Sequence, residues 1–342
     1  QGRKDVVCWD AHPRAEGVWD EVEVPALPEI LKYAAAAWLR GKLFVTGGTV
    51  GAYGQAGFET NSARCLVWDP ARPGDGWRRV ADLRTGRSYH AAAVLGGRLY
   101  VLGGAGAGIA MASVERYDPE TDHWEFVTSM GRRKKFLTAI ALNGKLYAIG
   151  GDGGSSLPSM GYVGGNLQSC ERYDPAADAW DNVTNMARAR NRVAAAVLDG
   201  KLYAVSGHGH AGALTSCERY DPAADAWEPV PDMATARSMK PAVAVLDGKL
   251  WVAGGSGGSS TLASVEVFDP ASNTWDATKA AMTTGRSGHA LAVLDGELHA
   301  VGGMSKTSAE KYDPRADSWS VVPGMALPAG RRACAAAMLL MI

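Results

Sequence analysis

Basic side chains beside hydroxyl or amide groups recur in short loops of this chain. They appear in "LRTGRSYH" (Leu83–His90), "MGRRKKFL" (Met130–Leu137), "MARARNRV" (Met186–Val193), "MATARSMK" (Met233–Lys240) and "MTTGRSGH" (Met282–His289). "PEILKYA" (Pro28–Ala34) and "LPAGRRA" (Leu327–Ala333) sit at the corresponding places nearer the two ends. A guanidinium binds carboxylate or phosphate through paired hydrogen bonds, and a hydroxyl turns to donate or accept. The formal net charge of the 342 residues is −1, so these loops mark a local anion site. A global field recruiting nucleic acid or anionic membrane is excluded. The first arginine of each Arg-Ser pair (Arg87, Arg237, Arg286) has an equally good structural role, bonding carbonyls in every repeat.

Other residues point elsewhere. "GHGH" (Gly207–His210) puts His208 and His210 on a glycine loop, His90 and His289 lie near apolar runs, and Tyr33 and Tyr89 share one loop position. Copper would need such groups to converge, and a His-x-His on glycine is more often solvated. Five cysteines (Cys8, Cys65, Cys170, Cys217, Cys334) are widely spaced without a CxxC pair. They read as small buried hydrophobes in a reducing, cytoplasmic compartment. "GAGAGIA" (Gly104–Ala110) imitates a dinucleotide loop but leads into strand and turn instead of a helix. Neither a Walker loop nor HExxH occurs, and no stretch approaches the roughly 18 apolar residues of a membrane helix. With Gln1 first, the sequence is expected to begin inside a longer protein.

The elements that must hold these loops are written in repeats. "SCERYDPAADAW" stands at Ser169–Trp180 and again, unchanged, at Ser216–Trp227, with looser copies ending at Trp77, Trp124, Trp275 and Trp319. "VVCWDAHPRAEGVW" (Val6–Trp19), with a displaced Pro13, makes a seventh, and successive tryptophans lie 44 to 58 residues apart. That period suits the four-stranded blades of a propeller. Between copies lie apolar runs joined by Gly-Gly, Asn-Gly or Asp-Gly, the signature of a hairpin with a type I′ turn. The first run is Ala-rich, as expected for a strand packed on both faces near an axis. The second ends in diglycine, which permits unusual φ/ψ or close backbone approach. Asp-Pro stops the third strand, and the tryptophan of the fourth faces a neighbouring blade. The repeated Glu115, Glu171, Glu218, Glu266 and Glu310 read as buried carboxylates accepting backbone N–H groups where blades meet.

Diglycine, Glu-x-Tyr-Asp-Pro, Trp, then Met and a basic loop resembles the kelch repeat, from end to end of the chain. Its style is similar to the BTB-kelch and F-box-kelch adaptors of ubiquitin ligases. The first glycine of the pair is lost at Ser206-Gly207. The resemblance implies an all-β propeller spanning 1–342 as one domain, and seven tryptophans predict seven four-stranded blades. Those adaptors commonly have six. Val6–Asp10 and Val18–Val22 would pair with the C-terminal "RRACAAAMLLMI" to close the ring.

Function is expected in the loops that vary between repeats. By resemblance, the mouth is lined by two loop sets that contact acidic peptide motifs. The matching residues of the basic loops are Ser88, Lys135, Asn191, Arg192, Ser238 and Ser287, with Arg331 and Arg332 of the last loop aligned more loosely. After the diglycines come Thr49, Asp152, His208 and Ser256. Long loops at Thr49–Thr60 and Asp152–Leu167 add Tyr53, Phe58, Met160 and Tyr162 as a protein-binding rim. The expected function is non-catalytic recognition of a short acidic or phosphorylated motif, without cofactor, nucleic acid or membrane. A ubiquitin-ligase scaffold would engage regions outside this chain. The alternative is an oxidase resembling the galactose-oxidase type, or a sialic-acid-processing kelch enzyme.

Overall fold

The computed structural model describes residues 27–28, 31–50, 60–157, 161–163, 165–294, 296–304, 306 and 308–322. Apart from a short 3-10 turn at Pro73–Asp75, its regular elements are strands. Among the described residues no helix is long and apolar enough to cross a membrane.

Among the described residues, six antiparallel four-stranded blades account for the repeats. Blade 1 comprises Ala35–Leu39, Lys42–Thr46, Cys65–Trp68 and Trp77–Val80, and blade 2 Ala91–Leu95, Arg98–Leu102, Val114–Asp118 and His123–Val127. Blade 3 comprises Thr138–Leu142, Lys145–Ile149, Cys170–Asp174 and Ala179–Val183, and blade 4 Ala194–Leu198, Lys201–Val205, Cys217–Asp221 and Ala226–Val230. Blade 5 uses Ala242–Leu246, Lys249–Ala253, Val265–Asp269 and Thr274–Asp276, and blade 6 Ala290–Leu294, Glu297–Val301, Ala309–Asp313 and Ser318–Val321.

This corrects the expected seven. A tryptophan marks only the fourth strand, whereas a blade also needs the hairpin before it, and six complete sets are present. The Trp19 letters match only the third and fourth strands of a blade. That unit, the C-terminal strand and the proposed closure lie outside the described residues.

Local chemistry explains each blade. The hairpin turns hold left-handed pairs, such as Asp199 (φ 50°) with Gly200 (φ 71°), as a type I′ turn requires. Inner strands pack side by side in chain order. The inner strand of blade 2 is covered on both faces: Ala91 and Ala93 join the apolar cluster shared with blade 3, while Ala92 and Val94 join the one shared with blade 1. Small side chains there let neighbouring backbones approach. Seams are also polar. Trp124, Trp180, Trp275 and Trp319 donate indole N–H to the carbonyls of Ala81, Thr128, Pro231 and Ala280 in the blade before, at 2.7–3.0 Å. Asp122, Asp178, Asp225 and Asp317 accept N–H groups from the same edges at 2.9–3.1 Å. Their other contact is a tyrosine hydroxyl of their own blade.

Candidate functional site

The basic loops enter each blade through two successive layers. The first layer is a buried clamp. Arg190, wholly buried, donates to the carbonyls of Ser206 (2.9 Å) and Ser216 (2.7 Å) and to Glu218 Oε1 (2.6 Å). Glu218 in turn accepts the N–H groups of Ala187 (2.6 Å) and Arg188 (3.3 Å), fixing the loop to its blade. Arg87–Glu115, Arg237–Glu266 and Arg286–Glu310 repeat the arrangement at 2.5–2.9 Å with both side chains buried. Arg87, Arg237 and Arg286 therefore belong to the scaffold, as do the recurring glutamates.

Two blades depart from the clamp. In blade 3, Lys134 reaches Ser169 O and Oγ at 2.8 Å but approaches Glu171 Oε1 only to 3.4 Å, leaving that oxygen without a hydrogen bond. Burial lowers the Lys134 pKa, and Glu171 beside it opposes the shift. In blade 1 the pair becomes Leu31 and Leu66, both buried in one apolar cluster. A buried ion pair exchanged for a packed hydrophobic pair keeps the site satisfied.

One residue further along each loop, the positions expected to bind a partner form backbone bridges. Lys32 pairs with Thr49, Ser88 with Ala105, Lys135 with Asp152, Asn191 with His208, and Ser238 with Ser256. Ser287 accepts Met304 N–H at 2.9 Å. The two expected loop sets thus meet at equivalent places in all six blades. Seven of the ten named residues are nonetheless buried: Thr49, Ser88, Lys135, Asp152, Asn191, Ser238 and Ser287. Several spend their side chains on the loops themselves. Asn191 Nδ2 donates to Asn166 Oδ1 (2.6 Å), Ser256 Oγ to Gly258 O (3.0 Å), and Asp152 Oδ1 accepts Gly154 N–H (2.7 Å). His208 and Ser256 are half-buried, as is Arg192.

Arg192 belongs to the next layer, a collar that sequence reading largely missed. Its members are Tyr33, Tyr89, Phe136, Arg192, Lys240 and Gly288, all left-handed with φ of 49–59°. For bulky residues that backbone is rare and needs support. The support is mutual: Tyr89 N–H donates to Tyr33 O (3.1 Å), Phe136 to Tyr89 (2.9 Å), Arg192 to Phe136 (2.9 Å) and Gly288 to Lys240 (3.0 Å). Side chains follow the backbone. Tyr33 and Tyr89 have ring centroids 4.3 Å apart, Tyr89 and Phe136 4.4 Å, and Arg192 Cζ lies 4.1 Å from the Phe136 centroid. Blades 1 to 3 thus contribute an arc of tilted aromatic rings in contact, and blades 4 and 5 contribute cations. The signal was present, since this register varies between repeats. In blade 5 an inserted residue, Met239, shifts Lys240 out of simple alignment.

The copper constellation is not assembled from these groups. His90 and His289 are packing groups whose pKa falls to about 3, through burial first and then the charges of Arg87 and Arg286 respectively. His90 Nε2 lies 3.0 Å from Thr46 Oγ1, and His210 is exposed. Among the described residues no three His, Cys, Asp or Glu side chains gather as a metal-holding group. Cys65, Cys170 and Cys217 are free, buried thiols; burial pushes Cys170 to about 11 and Cys217 to about 12. Cys8, Cys334, Arg331 and Arg332 lie outside the described residues, as do Tyr53, Phe58 and Met160. In the second long loop, Ser155–Leu157 and Gly161–Val163 form a hairpin that pairs with Ile109–Ala110 of blade 2.

Six blades with a clamp beneath a variable collar define a β-propeller built on repeated units. The Kelch motif matches residues 86–131, 133–187, 189–234, 240–277 and 285–326, about two thirds of the sequence, and the chain belongs to the kelch-repeat family. It is 34% identical over 105 residues to human Kelch-like protein 33, covering 30% of this chain and 18% of that one. It is 32% identical over 108 residues to beta-scruin of Limulus polyphemus, covering 30% and 11%. The aligned part therefore spans under a fifth of these relatives' length. The solved "Structure of YjhT" superposes with a TM-score of 0.69 at 15% identity, covering 87% of this chain and 99% of that one, a likeness of fold.

Proposed function

We propose that this chain is a non-catalytic recognition module that holds a short acidic or phosphorylated segment of a partner protein at the collar. The observation that carries the reading is the collar's charge. Arg192 and Lys240 occupy equivalent positions in neighbouring blades, and none of the six collar residues is acidic. The Phe136 ring beneath Arg192 holds the guanidinium in one orientation, which lowers the cost of ordering it around a carboxylate. Ser88, Ser238, Ser287, Thr49, Lys135, Asp152, Asn191, His208 and Ser256 then act mainly as the frame of the site. In this reading the larger protein presents its captured partner to a ubiquitin ligase, and three reduced thiols suit a cytoplasmic setting.

The test is fluorescence anisotropy with labelled dodecapeptides, one series rich in Asp and Glu and the other with Asn and Gln in their place. The acidic series binds selectively and loses affinity as salt rises. The double variant Arg192→Ala, Lys240→Ala weakens it about tenfold or more, with an unchanged melting temperature. Equal binding of the neutral series, or an indifferent double variant, would overturn the proposal.

A further inference from the structure

Five collar positions carry large side chains, and the sixth, Gly288, carries none. Its backbone is not what demands glycine. At φ 59° it matches Tyr33 (57°), Tyr89 (56°) and Phe136 (55°), which hold the same place with aromatic side chains. Space does not demand it either: among the described residues a Cβ built on Gly288 would meet only Met304 Cγ within 4 Å, at 3.9 Å. The glycine leaves a gap where blades 1, 2 and 3 each place an aromatic ring.

The border of this gap is apolar and cationic. Met304, bonded to the neighbouring Ser287, is 39% exposed, one of four exposed large hydrophobic side chains among the described residues. Met239, half-buried, adjoins Lys240, whose carbonyl accepts the Gly288 N–H. Methionine adapts to the shape of an aromatic ring, and its sulfur contacts such rings favourably. The exposed Lys240 ammonium can lie over a ring face or pair with an acidic neighbour.

We infer that the gap at Gly288 is a subsite for one aromatic side chain of the bound segment, next to the carboxylate held by Arg192 and Lys240. The inference rests on the peptide reading above and adds a second, chemically distinct element to the recognised motif. An aromatic ring is the occupant because the equivalent positions of three other blades are filled by rings of that size.

The probe is a set of labelled dodecapeptides with a central Glu-Glu pair and a single Phe moved through the flanking positions. Matched sets carry Ala or Leu in its place. One Phe position is expected to bind about tenfold tighter than its Ala counterpart and clearly tighter than Leu. Gly288→Tyr, which gives blade 6 the residue of blades 1 and 2, removes that preference while the Ala set still binds. Met304→Ala reduces it several-fold, a separate measurement should the tyrosine variant fail to fold. Phe no better than Ala or Leu at every position, or a preference that survives both substitutions, overturns the subsite and leaves the acidic reading standing. If no Glu-Glu peptide binds, both fail.

Discussion

Arg190 and Arg192 are separated by a single residue, and their surroundings have nothing in common. Arg190 has no exposed surface and ends on two carbonyls, a serine hydroxyl and Glu218. Arg192 is half-buried over the face of Phe136. The first belongs to a layer of matching letters in blades 2, 4, 5 and 6; the second to a layer where tyrosine, phenylalanine, arginine, lysine and glycine alternate. Residue type alone therefore says little about role in a repeat protein. What separates scaffold from site is whether the same contact is made again one blade later.

The sharpest way to break this comparison is to delete both arginines separately. Arg190→Ala strands the Glu218 carboxylate in a dry site and should cost about 3–5 kcal/mol, read as a large drop in denaturation midpoint. Arg192→Ala should stay within about 0.5 kcal/mol of the parent. Similar losses from both would erase the distinction between layers.

Acid extends the contrast to the buried histidines. Burial holds His90 and His289 near pKa 3, while the unfolded chain returns them to about 6.5. Below pH 6.5 the unfolded state takes up protons that the folded state refuses. Stability is then lost as pH falls toward 3, by up to about 1.4 kcal/mol per pH unit for each histidine. Glu310 adds to the loss at lower pH. Burial raises its pKa, but the Arg286 and Thr283 hydrogen bonds outweigh that and bring it below 4.5, so its contribution disappears as pH drops through the folded value. His289, whose ring nitrogens both lack hydrogen-bond partners among the described residues, can be replaced by Leu. The variant should show a shallower decline between pH 6 and 4 in urea titrations, and an unchanged slope would refute the assignment.

The smallest effect sharpens the comparison within the clamp layer. Lys134→Arg should supply the bond that Glu171 Oε1 lacks and stabilise the protein by about 1 kcal/mol, seen as a modest rise in melting temperature. A loss would mean that blade 3 has repacked around lysine.

Much of this was legible in the letters. Hairpin turns, diglycines, the Tyr-Asp-Pro stop and the Trp seam follow from rules that act within a few residues. The clamp glutamates were legible too, because a carboxylate recurring on an apolar strand needs N–H partners. Blade number was not, since a tryptophan marks only the fourth strand of a blade and a count of tryptophans is not a count of complete sheets. The collar stayed hidden for a different reason. The left-handed turn that sends Tyr89, Phe136 and Lys240 onward from Ser88, Lys135 and Ser238 is imposed by backbone bonds between blades, and no local pattern encodes it. Ser206, standing where other blades have glycine, reaches φ 62° as well, its hydroxyl donating to Arg237 O with Leu214 O as a more distant neighbour.

The indole and aspartate grips at the seams are carried by the later blade and close on the earlier one. A nascent chain emerging from the ribosome thus delivers these indole and aspartate grips together with the sheet that uses them. A polypeptide halted after Val230 would already own each junction among its first four sheets, whereas one beginning at blade 3 would bring Trp180 and Asp178 with nothing to seize. Growth by copying at the trailing end inherits the same polarity: the twelve letters shared by Ser169–Trp180 and Ser216–Trp227 include the gripping Asp178 and Asp225, although among the described residues the Trp227 indole nitrogen finds no acceptor where Trp180 does.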